Sequence, residues 1–219
     1  MVVKNNFFLI ADIGGTNASF ALAQVKGNNA NIVLKKKYST EEIKDFRDTV
    51  KDFLSKCKKE INEFPLNAVF SVAGPIGNDD KATLTNRKNI VIDKNEIIKI
   101  TGLEDVHIIN DFAALANSIF VLSEKNVATL NNDGIKNPNG VKCLLGAGTG
   151  LGKAIIAKGE KQLVINSEGG HADIPADNEM EFLLFQHIRE KKGSVSVTYE
   201  NLLSGDGLEH IYDFYHCDE

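Results

Sequence analysis

The chain has 219 residues, 42% of them hydrophobic and 25% charged, and carries a net charge of −5. That length and balance describe a globular protein of one large domain or two modest ones, neither disordered nor fibrous. The acid excess and the lack of a basic stripe argue against nucleic acid or an anionic membrane as the main partner, and Lys35-Lys36-Lys37 reads as a solvated strand end.

No apolar stretch approaches the length of a membrane-spanning helix. The N-terminal run Phe7-Phe8-Leu9-Ile10-Ala11 is too short for a signal peptide, and Asp12 interrupts it. Cys57, Cys143 and Cys217 are odd in number and widely spaced, fitting neither a disulfide framework nor a zinc pattern. A reducing cytoplasm is the expected setting.

The first run ends in Asp12-Ile13-Gly14-Gly15-Thr16-Asn17 and turns apolar again at Phe20-Ala21-Leu22-Ala23. This predicts strand, tight turn, strand. The paired glycines tolerate positive φ and let backbone N–H groups face a ligand with no Cβ in the way. Two readings stand: a phosphate cradle with Asp12 beside it to hold a metal ion, or a hairpin whose glycines only make the turn. A third strand is expected over 31–38. Ser39 and Glu42 have the spacing of a capping box ahead of a helix carrying Phe46, Val50, Phe53, Leu54, Cys57 and Ile61 on one face.

Ala68-Val69-Phe70-Ser71-Val72-Ala73 has the continuous apolar character of a buried strand and gives way to the loop Gly74-Pro75-Ile76-Gly77. Leu84-Thr85-Asn86 and Ile90-Val91-Ile92 bracket a turn, and Asp93 with Glu96 caps a short helix stopped by Gly102. Val106-His107-Ile108-Ile109 is a further buried strand running directly into Asn110-Asp111. From there a helical pattern aligns Phe112, Leu115, Ala116, Ile119 and Phe120. A polar pair at a strand's C-terminal end, opening a helix, is where α/β folds place function. Asp is also a favoured N-cap, and Asp111 can hold both roles.

Residues 126–139 read as a polar loop around one weak strand. A second strand, Gly-rich turn and strand follow over 141–156, with Gly146-Ala147-Gly148-Thr149-Gly150-Leu151-Gly152 at the turn. Ala154 after Lys153 excludes a Walker A loop, and Leu151 or Lys153 stands where the dinucleotide fingerprint needs its third glycine. Residues 165–173 are expected as a loop. Asn178 and Glu181 then cap a helix with Met180, Leu183, Leu184 and Ile188 inward, closed by Gly193. A last helix begins near Leu208.

Two strand–turn–strand phosphate candidates suggest a duplicated domain, and the chain resembles the actin-like sugar kinases, in particular the bacterial glucokinases. Asp12-Ile13-Gly14-Gly15-Thr16-Asn17 and 146–152 resemble the family's two phosphate motifs, and Ile109-Asn110-Asp111-Phe112 its catalytic segment. Glu168-Gly169-Gly170-His171 is similar to its sugar-binding loop, and Glu200 before Leu203-Ser204-Gly205 to a further sugar ligand. Val72-Ala73-Gly74-Pro75 and Leu84-Thr85-Asn86 are similar to its small-lobe sugar loops.

The resemblance implies an α/β, ribonuclease H-like two-lobe fold with the second lobe incomplete. The small lobe would span 1–111, the partial large lobe 112–219, with a hinge near residues 112–120. It implies phosphorylation of glucose or a related hexose at the 6-hydroxyl, with ATP and Mg²⁺. Asp111 would be the general base. Asn110, Glu168, His171, Glu200, Gly74 and Asn86 would bind the sugar. Asp12, Gly14, Gly15, Thr16, Asn17, Gly148, Thr149 and Gly150 would hold the phosphates, with Asp12 holding Mg²⁺ directly or through water. A homodimer through the large lobe is implied. The zinc motif of the related repressor-and-kinase branch is absent, so the zinc-free branch is expected.

The sequence departs from the family in two ways. Relatives continue beyond residue 219 into a glycine-rich adenosine motif, and Arg87-Lys88-Asn89 stand where an aromatic residue is common. A second function is therefore carried alongside the kinase: a non-catalytic or trans-complemented sugar-binding fragment.

Overall fold

The computed structural model describes residues 6–27, 29–77, 79–84, 87–131, 133–135, 137–158 and 162–216. The chain divides into two compact units, residues 1–123 and 124–219.

In the first unit, β1 (Phe7–Ile13), β2 (Asn17–Lys26) and β3 (Asn29–Ser39) form an antiparallel meander. The helix α1 (Phe46–Ile61) then leads to β4 (Asn67–Val72), which pairs parallel to β1. A small hairpin of β5 (Lys81–Leu84) and β6 (Arg87–Asp93) and the helix α2 (Lys94–Thr101) lead to β7 (Asp105–Asn110), parallel to β4. The sheet order is β3-β2-β1-β4-β7. The parallel strands are in step: Asp12 pairs with Ser71 and Ser71 with Ile109, so three strand ends finish along one carboxyl edge. Parallel strands in this sheet need crossovers, which α1 and α2 supply.

The helices start and stop for identifiable reasons. Asp45 caps α1 by accepting the Arg47 N–H, and Asn62 ends it in the left-handed region at φ 59°. The Asp93 side chain accepts from the N–H groups of Asn95 and Glu96, and Gly102 stops α2 at φ 79°. Phe20 stands at the centre of the core at 0% exposure, ringed by Tyr38, Phe46, Phe53 and Phe70 with centroids 5.3–6.4 Å away. Each such side chain contributes roughly 1.5–3 kcal/mol by leaving water. The helix α3 (Asp111–Ser118) follows β7 without a linker and packs on β4 and β7, so by contact it belongs to the first unit. By contact the first unit runs to Ser123, past the 111/112 boundary expected from the resemblance.

The second unit repeats the opening theme. β8 (Lys142–Ala147), β9 (Leu151–Lys158) and β10 (Gln162–Ser167) form an antiparallel meander, followed by α4 (Glu179–Lys192) and α5 (Gly205–His216). Leu184, Phe185, Ile188 and Val197 make its small core. Asn178 caps α4 by accepting the Glu181 N–H at 2.9 Å, and Gly193 ends it at φ 61°.

Several expectations are corrected. Ser39 and Glu42 form a turn, with the Glu42 N–H on the Ser39 carbonyl, and Asp45 is the cap of α1. Lys35, Lys36 and Lys37 lie inside β3, an edge strand, not at its end. Among the described residues, 127–141 contain no strand. Part of the loop expected over 165–173 is β10. Met180 and Leu183 are exposed, and Phe185 joins Leu184 and Ile188 on the buried side of that helix. Among the described residues the left-handed glycines are Gly27, Gly102 and Gly193, so neither Gly-rich turn uses glycine for positive φ.

Candidate functional site

In the first unit the predicted residues gather at the carboxyl edge of the sheet. The turn after β1 is closed by the Gly14 N–H on the Asn17 carbonyl at 2.9 Å. Fully buried Thr40, just beyond β3, holds it from behind: its N–H donates to the Thr16 carbonyl at 2.9 Å and its Oγ1 to the Gly14 carbonyl at 3.0 Å. None of these bonds uses the N–H groups of Gly15 or Thr16, the donors a phosphate cradle needs. Thr16 and Asn17 are exposed. Asp12 is also exposed, and its Oδ1 accepts from Ser71 Oγ at 3.3 Å across the β1–β4 pair.

Gly74 is buried just past the end of β4, and its N–H returns to the Val72 carbonyl at 2.9 Å. At the end of β7, Asn110 is the N-cap of α3: its Oδ1 accepts from Phe112 N–H at 3.0 Å and Ala113 N–H at 3.2 Å. Asp111 is the first helical residue, its Oδ1 accepting from the Phe112 N–H at 2.9 Å. The capping role open to Asp111 therefore falls to its neighbour. A carboxylate in a helix's first turn is favoured by the positive end of the dipole. Asn86 lies outside the described residues.

In the second unit the turn between β8 and β9 sits against Gly170, Glu200 and Gly205. The Gly148 N–H bonds the Gly150 carbonyl at 2.9 Å, and the Gly205 N–H, at the start of α5, reaches the Gly148 carbonyl at 2.8 Å. Thr149 is exposed, and its N–H and that of Gly150 take part in neither bond. Glu168, His171 and Glu200 converge: His171 Nδ1 lies 3.1 Å from Glu168 Oε2, and His171 Nε2 lies 3.4 Å from Glu200 Oε1. The other Glu200 oxygen accepts the Leu151 N–H at 2.8 Å.

A carboxylate–imidazole–carboxylate group offers several acceptors and donors in a small space, which suits a polyol. Glycine is required at position 170, where the neighbour is backbone, while at 150 the neighbour is a side-chain end that would have to move. A Cβ on Gly170 would sit 2.1 Å from the Leu151 carbonyl oxygen, and one on Gly150 2.6 Å from Glu200 Oε2.

The sequence does not single out Thr40, Ser71 or the Leu151 N–H as parts of the site. Ser71 was visible as the one hydroxyl inside an apolar strand. Thr40 and the Leu151 amide carry no local signal, because their roles come from pairings distant in sequence. Away from the site, the Lys36 ammonium and then the Tyr38 hydroxyl hold the Asp52 carboxyl below the usual range. The Arg47 guanidinium does the same for Asp45.

A mixed sheet of order 3-2-1-4-7, in which an antiparallel meander with a glycine turn is extended by parallel β4 and β7 and leads into an Asn-Asp pair, defines a ribonuclease H-like α/β domain of the actin-like sugar kinase class. The start of a second such meander carries the second turn. The family model described as Glucokinase matches residues 9–219, and the chain belongs to the glucokinase family. It is 34% identical over 208 residues to the glucokinase of a Nostoc species, covering 94% of this chain and 59% of that relative. To the glucokinase of Helicobacter pylori it is 36% identical over the same length and coverage. The chain thus spans 59% of the length of these curated relatives. Among solved structures it is similar to a glucokinase from an Antarctic psychrotroph, with a TM-score of 0.77 and 27% identity over 97% of this chain and 65% of that one.

Proposed function

We infer that the protein transfers the γ-phosphoryl group of ATP to the 6-hydroxyl of glucose or a related hexose. The observation that carries this reading is the convergence of Asp12, the 14–17 turn and Asn110-Asp111 on one edge of in-register parallel strands. Family membership over residues 9–219 supports it.

In this reading Asp111 accepts the proton of the sugar hydroxyl as its oxygen bonds the γ-phosphorus and the bond to the ADP oxygen breaks. The N–H groups of Gly15, Thr16, Thr149 and Gly150, the small Gly14 and Gly148, and the Thr16, Thr149 and Asn17 side chains bind the phosphates. Asn110, Glu168, His171 and Glu200 orient the sugar, with Gly74 and Asn86 beside it.

Among the described residues no three His, Cys, Asp or Glu side chains cluster to cage a metal. That fits Mg²⁺, which keeps several waters and takes one or two carboxylates besides phosphate oxygens; exposed Asp12 would be its protein ligand. Bound there, Mg²⁺ would supply charge neutralisation on the phosphates. Among the described residues no helix is long and apolar enough to cross a membrane. A cytoplasmic location and a homodimer complete the proposal.

The test is a coupled ATP–glucose assay with parallel calorimetry. Asp111→Ala is expected to lower turnover by about 10²–10⁴-fold while glucose affinity stays near that of the wild type. Near-normal turnover in that variant would remove Asp111 from the role. Glucose binding without turnover in the unaltered chain would favour the sugar-binding reading instead.

A further inference from the structure

The second phosphate turn and the sugar loop share a fastening that neither a sugar site nor a phosphate site needs on its own. Glu200 uses its two oxygens in different directions: Oε2 accepts the Leu151 N–H at 2.8 Å, at the end of the turn, and Oε1 faces His171 Nε2 at 3.4 Å. Its own N–H donates to the Gly170 carbonyl at 2.9 Å, inside the Glu168–His171 loop. Five residues on, the Gly205 N–H holds the Gly148 carbonyl, so both ends of the turn are anchored by the 200–205 segment. Gly170 is buried and packs so closely on the Leu151 carbonyl that a Cβ would lie 2.1 Å from it. The side chain of Glu200 is 30% exposed, against 72% for Glu168, so it is the more enclosed of the two carboxylates.

We propose that Glu200 is a positioning residue that couples hexose occupancy to the conformation of the 148–151 phosphate turn. The inference rests on the hexose-loop reading of Glu168 and His171. A sugar that orders His171 and the Oε1 side of Glu200 also fixes its Oε2 side, and with it the Leu151 end of the turn. By linkage, whatever moves the turn's anchor must weaken the sugar to the same degree. Gly150 makes this testable without replacing a proposed sugar ligand, because a Cβ there would lie 2.6 Å from Glu200 Oε2 and displace the carboxylate from the turn side.

The experiment is hydrogen–deuterium exchange over residues 148–151 of the full chain with and without glucose, together with calorimetric glucose titration. In the unaltered chain glucose should slow exchange at the Leu151 amide about tenfold, within the range of about 5- to 150-fold for coupled sites. Gly150→Ala should weaken glucose binding about tenfold and abolish that protection. Without sugar, Glu200→Gln keeps an oxygen for the Leu151 N–H and should retain the protection of the turn that Glu200→Ala loses. This pair carries the test if circular dichroism shows Gly150→Ala to be misfolded. Unchanged glucose affinity in folded Gly150→Ala, or glucose binding with no protection of Leu151, would overturn the coupling alone. No glucose binding by the unaltered chain would sink the hexose-loop reading and the coupling with it.

Discussion

Asn110 is asked to do two things, and they can be separated. Its Oδ1 caps α3 through bonds of 3.0 and 3.2 Å to the Phe112 and Ala113 N–H groups, while its amide N–H₂ is the proposed sugar donor. Asn110→Ala removes both roles. Asn110→Ser restores a hydroxyl that caps about as well as Asn but has no amide donor. Loss of the cap costs about 1 kcal/mol, which lowers the midpoint of thermal unfolding by roughly 3–5 °C in a domain of this size. Loss of one sugar hydrogen bond is worth about 0.5–1.5 kcal/mol, or roughly 2- to 12-fold in glucose affinity.

Thermal unfolding by circular dichroism should therefore place Ser near the wild type and Ala below it. Calorimetry should show both variants weakened to a similar degree. Equal melting of Ala, Ser and wild type would refute the energetic role of the cap. Glucose affinity unchanged in both variants would refute Asn110 as a sugar ligand.

Phe20→Ala empties a site of 0% exposure ringed by four aromatic side chains. It should cost about 4–5 kcal/mol in urea unfolding, and a loss under about 1.5 kcal/mol would mean the cluster is not closely packed. Acid should destabilise the first unit through Asp45 and Asp52. Both carboxyls titrate below their unfolded values, so their contribution is complete above the ordinary carboxylate range and is lost as pH falls through the lower folded-state values. Urea midpoints should hold level down to about pH 4 and fall below it, less steeply for Asp52→Asn; parallel curves for the two proteins would contradict the assignment.

What could be read from the chain depended on how local its cause was. Asp93 with Glu96 and Gly102 bracket α2 because a cap and a stop act within a few residues, and the structure agrees at each. The Asn110-Asp111 junction was legible for the same reason, although which of the pair caps was not. Ser39 and Glu42 carried the right spacing without the cap, since Asp45 lies closer to the start of α1 and its carboxylate is fixed by Arg47. β10 was hidden because Leu163, Val164 and Ile165 are short apolar neighbours of a glycine loop, and only pairing with β9 makes them a strand. Glu200 could be named from its motif, but nothing near it in sequence announces that it holds Leu151, 49 residues earlier.

The in-step ends of β1, β4 and β7 also bear on how the protein is made. The β1–β3 meander is built from neighbours in sequence and can pair as soon as residue 39 is clear of the ribosome. Asp12 meets Ser71 only after 59 further residues, and the Asn110-Asp111 pair arrives on β7, the last strand added and the outer one. Non-local parallel pairing of this kind is slow, because a long loop must close before the contacts reward it. A nascent chain therefore carries a formed first turn well before it carries its proposed base. Completing the edge that carries Asp12 and Asp111 coincides with completing the sheet, so a partly synthesised first unit has the first turn without the proposed base.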